Sequence, residues 1–269
     1  MDKHIMEFYR KHPDGQSQGH FHQVIDLNDT DSYSWEAVEK MVPHLCKGWY
    51  ELSQLSNNDR IEFTKSYWLS KLIFTPTLGN SIDKFFDAVD EIAVFLVQKK
   101  FDDPFEAHMI YSLKHGQGFY KGLCGAREEE IERLKREFTG WIFPKDYLGF
   151  LEVHNGFCKT TDSGIFSTKE MPDRYSQFQS LVTEKDGILT TLDELPVDPG
   201  SLAPFYASFN MPFFQCFWSE WYPEEEMGNV YYSGVTNTIS ILASKKGSVE
   251  NMAFSTFTDW LMFYLETFE

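Results

Sequence analysis

The residues of this chain that could do chemistry are plentiful, but few of them stand at catalytic spacing. Four of the eight histidines cluster near the start, at His4, His12, His20 and His22. No cysteine or carboxylate motif accompanies them, so the sequence predicts no metal site. HExxH, GxSxG and P-loop motifs are absent. Cys158 follows His154 at one helical turn, but Asn155-Gly156 breaks a helix between them. We therefore predict no catalytic residue, no metal and no cofactor.

The most distinctive acidic segment is FWSEWYPEEEMG, which places aromatic side chains beside three consecutive glutamates. If a strand continued through it, alternation would put Trp218 and Tyr222 on one face and Trp221 on the other. Aromatic residues beside charge are typical of interface hot spots. Burial of both tryptophans between two domains is the alternative. The predicted partner-binding residues are Trp218, Glu220, Trp221, Tyr222, Glu224, Glu225 and Glu226.

The formal charge of the 269-residue chain is −17, and it is distributed unevenly. Residues 1–123 hold 13 basic and 18 acidic side chains, whereas residues 124–269 hold 11 and 23. Such a field repels phosphate backbones and attracts basic surfaces, so we expect a basic protein partner and no direct binding to nucleic acid. Ordinary solubility charge is the alternative.

The sequence also bears on location. No apolar stretch reaches the length of a membrane span, and the first thirty residues lack the apolar core of a signal peptide. The four cysteines stand far apart without a CxxC pair, which is typical of free thiols in a reducing compartment. We expect a cytoplasmic protein that does not enter a membrane.

The pattern of apolar residues, from which helices and strands are predicted, changes near residue 120. Apolar residues recur at three- and four-residue steps through residues 34–55, 57–74, 81–101 and 103–116. This pattern predicts that residues 1–120 form an all-α domain. Residues 115–126 contain four glycines after a predicted helix, which indicates an interdomain hinge rather than a phosphate-binding loop.

Residues 121–269 have a mixed pattern. Helical spacing is present at residues 127–138, 143–157 and 254–268, whereas β-branched and aromatic residues fill 213–221, 228–235 and 237–244. This order predicts an α+β domain in which helices pack on a mostly antiparallel sheet. Within it, FPKDYLGFLEVHNGF is explained as one helix, which Pro144 starts and Asn155-Gly156 ends.

The same stretch resembles the N-terminal signature of the SUKH superfamily, which contains bacterial toxin-immunity proteins and fungal cell-wall-synthesis regulators. The matching positions are Pro144, Asp146, Tyr147, Phe150, Leu151, Asn155 and Gly156. A closing pattern of Phe254, Phe257, Trp260 and Leu261 is also similar. The resemblance covers roughly residues 125–269; residues 159–204 and the first 120 residues have no counterpart in it.

The resemblance implies binding rather than catalysis, because members hold a partner protein in a surface cleft that is often acidic. Our leading hypothesis is a non-enzymatic, immunity-like module that neutralises a basic toxin through an acidic face. A regulatory adaptor with two partner-binding domains is the second hypothesis. The third is a hydrolase that uses buried carboxylates.

Overall fold

The fold is seen in a computed structural model, which describes residues 3–9, 21–29, 33–73, 75–160, 162–185, 187–240 and 252–266. The helices are α1 Lys3–Tyr9, α2 Trp35–Met41, α3 Lys47–Ser53, α4 Asn57–Lys71, α5 Pro76–Ala88, α6 Glu128–Glu137, α7 Lys145–Val153, α8 Met171–Thr183 and α9 Phe257–Leu265. The strands are β1 Gln23–Asp26, β2 Val89–Gln98, β3 Glu106–Leu113, β4 Phe119–Leu123, β5 Phe157–Lys159, β6 Gly164–Ile165, β7 Thr190–Thr191, β8 Leu202–Ala207, β9 Phe213–Trp218, β10 Asn229–Ser233 and β11 Thr238–Ile239.

All the described strands belong to one sheet, in the order β1-β2-β3-β4-β5-β6-β8-β9-β10-β11-β7. Neighbouring strands are antiparallel except β11 and β7. The expected α+β class with a mostly antiparallel sheet is therefore confirmed. The division at residue 120 stays a prediction, although the sheet and the main hydrophobic cluster both continue across it.

The predicted all-α character of residues 1–120 is wrong, because β1, β2, β3 and the start of β4 lie there. The pattern at 81–101 divides into the end of α5 and the ten-residue strand β2. Residues 103–116 contain β3 rather than a helix. Both strands are buried on their two faces, so their apolar residues form runs, and a short apolar run does not distinguish strand from helix.

The glycine-rich segment is not a hinge but contains β4, which pairs with β3 and β5 inside the sheet. For one of these glycines, Gly122, the structure shows why no larger residue fits. A Cβ atom built there would lie 2.2 Å from Nδ1 of His154, closer than any side chain tolerates. The glycine therefore lets the sheet backbone approach a buried ring.

The main core lies on one face of the sheet, under α2 to α7 and α9. It includes Val94 and Leu96 of β2, Tyr111 of β3 and Phe217 of β9. The opposite face carries two smaller clusters. One packs α1 against Phe95 and Val97, which alternate with the core residues of β2. The other packs α8 against β9 and β10.

Candidate partner-binding cleft

The predicted binding segment forms the connection between β9 and β10. Its ends are joined by backbone hydrogen bonds from the N–H of Gly228 to the carbonyl of Trp221, at 3.0 Å, and from the N–H of Trp218 to the carbonyl of Gly228, at 3.1 Å. Glu225 adopts a left-handed φ of 64° within this connection. Residues 219–226 are thus held as an ordered turn at one end of the sheet.

The two tryptophans of this turn serve mainly to pack it. Both are half-buried, their ring centroids are 6.5 Å apart, and both lie against the cluster under α8. The indole N–H of Trp218 donates to the hydroxyl of Ser201 at 3.1 Å. Strand alternation beyond Trp218 does not occur, because β9 ends at that residue. Trp218 and Trp221 therefore lie on the same side of the turn.

The polar members of the predicted set have a different environment. Glu220, Tyr222, Glu224 and Glu225 are exposed, and Tyr222 keeps 39% of its surface accessible. Glu226 is half-buried. Two of the seven predicted residues, Glu224 and Glu226, line a cleft of about 300 Å³ beside the turn. The acidic part of the set thus borders a concave surface.

The cleft lies between the turn, the first turns of α7 and α9, and the connection from α4 to α5. Its charged lining is predominantly acidic and consists of Asp146, Glu224, Glu226, Asp259 and the single base Lys145. Apolar contacts come from Ile73, Pro144 and Met227, and the Ile73 side chain is 54% exposed. A cationic side chain on an apolar stem fits such a lining, because its charge and its methylene groups both find partners.

Glu226 fixes the turn to α7. One of its carboxylate oxygens accepts the backbone N–H of Lys145 at 2.9 Å, and the other lies 3.3 Å from the ammonium of the same residue. Lys145 is the first residue of α7, so its N–H has no acceptor inside the helix. The glutamate therefore caps α7 and partly neutralises the one basic residue of the cleft.

Asp146 joins the beginnings of α7 and α9 at the base of the cleft. One carboxylate oxygen accepts the backbone N–H of Thr258 at 2.7 Å and its hydroxyl at 2.6 Å. The other accepts the N–H of Tyr147 at 2.8 Å. Burial raises the pKa of Asp146, and the hydrogen bonds from Thr258 and Tyr147 oppose this rise. Three donors bind this carboxylate, so the aspartate of FPKDYLGFLEVHNGF has a structural role in the fold.

The rest of that stretch also has structural roles. Tyr147 packs in the core against Phe217 and Phe257, with ring centroids 4.8 and 5.2 Å away. The helix ends at Val153, and Gly156 follows it with a φ of 114°. His154 contacts the Tyr111 hydroxyl at 2.6 Å and the Leu123 carbonyl at 2.9 Å, and burial lowers its pKa to about 4. Both ring nitrogens are occupied, so His154 is not a base for Cys158.

Sequence reasoning missed Asp146, Asp259 and Lys145 as members of the cleft. Asp146 and Asp259 both occupy first turns of helices, where a carboxylate is usually explained by the helix dipole. The positions of these residues in the sequence did not indicate that the first turns of α7 and α9 lie side by side. Their meeting depends on the Asp146 to Thr258 contact across 112 residues.

Comparisons of the chain with protein-family models, curated proteins and solved structures find no match. Among the described residues, no three His, Cys, Asp or Glu side chains are grouped to hold a metal ion; His12, His20 and the side chain of His4 lie outside them. In the same part of the chain, no helix is long and apolar enough to cross a bilayer.

Proposed function

We propose that this protein is a non-enzymatic binding module, immunity-like, which neutralises a basic protein partner at the acidic cleft. The observation that carries the proposal is the lining of the cleft, where four carboxylates face one lysine. Three further residues of the same turn, Glu220, Tyr222 and Glu225, are exposed. We also propose that residues 125–269 form a SUKH-like domain and that the protein acts in the cytoplasm.

Several observations support this proposal. The order of α6, α7, later strands and α9 is the one that the resemblance implies, whereas α8 lies in the segment that has no counterpart in it. The one desolvated carboxylate of the cleft, Asp146, is engaged by three donors within the fold, which favours binding over hydrolysis. The four cysteines are free thiols, in keeping with a reducing compartment. The surplus negative charge of residues 124–269 favours association with a basic surface.

Charge reversal at the cleft tests the proposal. The variant Glu224→Lys/Glu225→Lys changes two exposed side chains, and Asp193→Lys/Glu194→Lys is its matched control. The control pair is also exposed, makes the same change in net charge, and has a left-handed residue, Glu194 at φ 65°, as its second member. Any difference between the variants therefore reflects position rather than total charge.

Each immobilised protein captures partners from a lysate of its source organism, and calorimetry then measures the affinity of the purified partner. We expect a basic partner whose binding weakens about tenfold or more in the Glu224/Glu225 variant and is kept by the control. Higher salt should weaken the wild-type complex in parallel. Equal affinity of the wild type and the Glu224/Glu225 variant, or an acidic partner, would refute the acidic-cleft proposal.

The second candidate is a regulatory adaptor that also binds a partner through the first 120 residues. One observation favours it: Phe63 and Tyr67, one turn apart on α4, are 60% and 43% exposed. The variant Phe63→Ser tests this candidate, with Phe101→Ser as control, since Phe101 is 73% exposed in the turn between β2 and β3. Selective loss of a second captured protein with Phe63→Ser supports the adaptor; identical capture by both variants excludes it.

A further inference from the structure

The short helix α1 covers an apolar area on the face of the sheet opposite the main core. Ile5 and Tyr9 are almost fully buried there, against Phe95 and Val97 of β2, Ile110 of β3 and Phe119 of β4. A helix of seven residues has little stability of its own, so α1 is held in place by this packing. Its attachment therefore depends on a few contacts.

One of those contacts is with a buried histidine. The Tyr9 hydroxyl lies 3.0 Å from Nδ1 of His108, a β3 residue of which 2% of the surface is exposed. The rings of Tyr9 and Phe21 are stacked at 5.3 Å, and each is 5.8 Å from the imidazole. The covering of His108 thus comes largely from α1 and from Phe21, two residues before β1.

We propose that α1 is a proton-released strap: protonation of His108 detaches α1 and uncovers the apolar face of β2 to β4 that lies beneath it. The physical reason is that an imidazolium ion needs water, which reaches this position once α1 has left. The neutral imidazole, by contrast, accepts the Tyr9 hydroxyl and stays buried.

The charges around His108 agree with this direction. Burial lowers its pKa to about 4; Glu106 on the same strand opposes that shift, while Lys121 of β4 and Lys99 from the turn after β2 add to it. Glu106 lies 3.7 Å from Nε2 of His108 and pairs with Lys99 at 3.0 Å. Tyr9, from α1, interacts with Cys158 of β5 as well. The nearby positive charge comes from two lysines and the compensating negative charge from Glu106.

The strength of the effect follows from linkage. Each unit by which α1 lowers the pKa of His108 is a tenfold change in the docking equilibrium of α1. Between the ordinary pKa of 6.5 and a value of about 4, docking weakens by up to about 100-fold as the pH falls from 7 to 4. His154, which is equally buried on the other face of the sheet, titrates without α1 and serves as an internal control.

Ring-proton NMR titration of the full chain tests the strap. In Ile5→Ala, which weakens the docking of α1, we expect the pKa of His108 to rise by one unit or more and that of His154 to stay unchanged. Tyr9→Phe, which keeps the ring and removes one hydrogen bond, should raise the pKa of His108 by less than one unit. An unchanged His108 pKa in both variants would overturn the proposal.

Hydrogen exchange of α1, corrected for the intrinsic rate at each pH, gives the second measurement. Protection should fall from pH 7 to pH 4 in the wild type but not in His108→Asn, which offers Tyr9 a polar partner that does not titrate. The His154 resonance reports whether the variant is folded, and if His108→Asn does not fold, His108→Gln, which does not titrate either, takes its place. The same pH dependence in the wild type and His108→Asn would refute the strap.

Discussion

Substitution of Gly122 by alanine should destabilise the protein severely, although the change adds a single methyl group. The new Cβ would lie 2.2 Å from Nδ1 and 2.4 Å from Cε1 of His154. That ring is fixed by the Tyr111 hydroxyl at 2.6 Å and the Leu123 carbonyl at 2.9 Å, so it has to leave both partners to make room.

The cost has two parts. Overpacking a well-filled core costs about 1–3 kcal/mol. Two lost hydrogen bonds to a buried imidazole add about 1–2 kcal/mol. The expected loss of about 2–5 kcal/mol is a large fraction of the stability of an ordinary domain.

Urea denaturation of the wild type, Gly122→Ala and Gly48→Ala measures this loss. Gly48 is a suitable control because it lies in α3 with no atom within 4 Å of a built Cβ, so alanine there should stabilise by up to about 1 kcal/mol. Adding His154→Ala to Gly122→Ala should recover about 2 kcal/mol relative to the sum of the single changes. If Gly122→Ala lies within 1 kcal/mol of the wild type, the close approach is not a constraint.

Three further predictions concern stability. The pKa values of His108 and His154, lowered from 6.5 to about 4, mean that the unfolded chain binds more protons between these values. The free energy of unfolding should therefore fall from pH 6.5 to pH 4, by up to about 3 kcal/mol per histidine, in urea denaturation at several pH values; a flat profile would contradict the burial of both rings. Thr258→Val should cost about 1–2 kcal/mol in thermal melts and raise the pKa of Asp146 further, whereas Thr258→Ser should behave as wild type. Asn229→Ala should cost about 2–4 kcal/mol, because the fully buried amide binds Gln215 and the carbonyls of Phe254 and Thr256; a smaller loss than in Thr258→Val would show that this network is dispensable.

Sequence patterns predicted the helices and strands best where clear start and stop residues bound them. Pro144 and Asn155-Gly156 bound α7, as the sequence predicts. The pattern failed at β2, where VDEIAVFLVQ carries apolar residues on both faces. A strand buried on two sides has no polar face, so its period of two is lost.

The candidate cleft was predictable only in part. Glu224 and Glu226 belong to a conspicuous acidic run, which predicts an exposed charged turn. Asp146 and Asp259 reach the same place because α7 and α9 begin side by side, and that arrangement depends on long-range packing. Glycine at 122 likewise suggests flexibility in the sequence, whereas the structural reason for it is the ring of His154, which directly follows α7 thirty-two positions later.

The contact between β4 and α9 has a consequence for how the protein is made. The Tyr120 hydroxyl donates to the carbonyl of Tyr264 at 3.1 Å, although the two residues are 144 positions apart. Strands β2 to β6 follow one another in the sheet in chain order, so they are able to pair as they leave the ribosome. At a synthesis rate of about 5–20 residues per second, Tyr120 of β4 then waits roughly 7–30 seconds for α9. During that interval Tyr120 has the Phe85 ring of α5 beside it, at 5.4 Å between ring centroids, but lacks the Tyr264 ring that covers it in the folded protein.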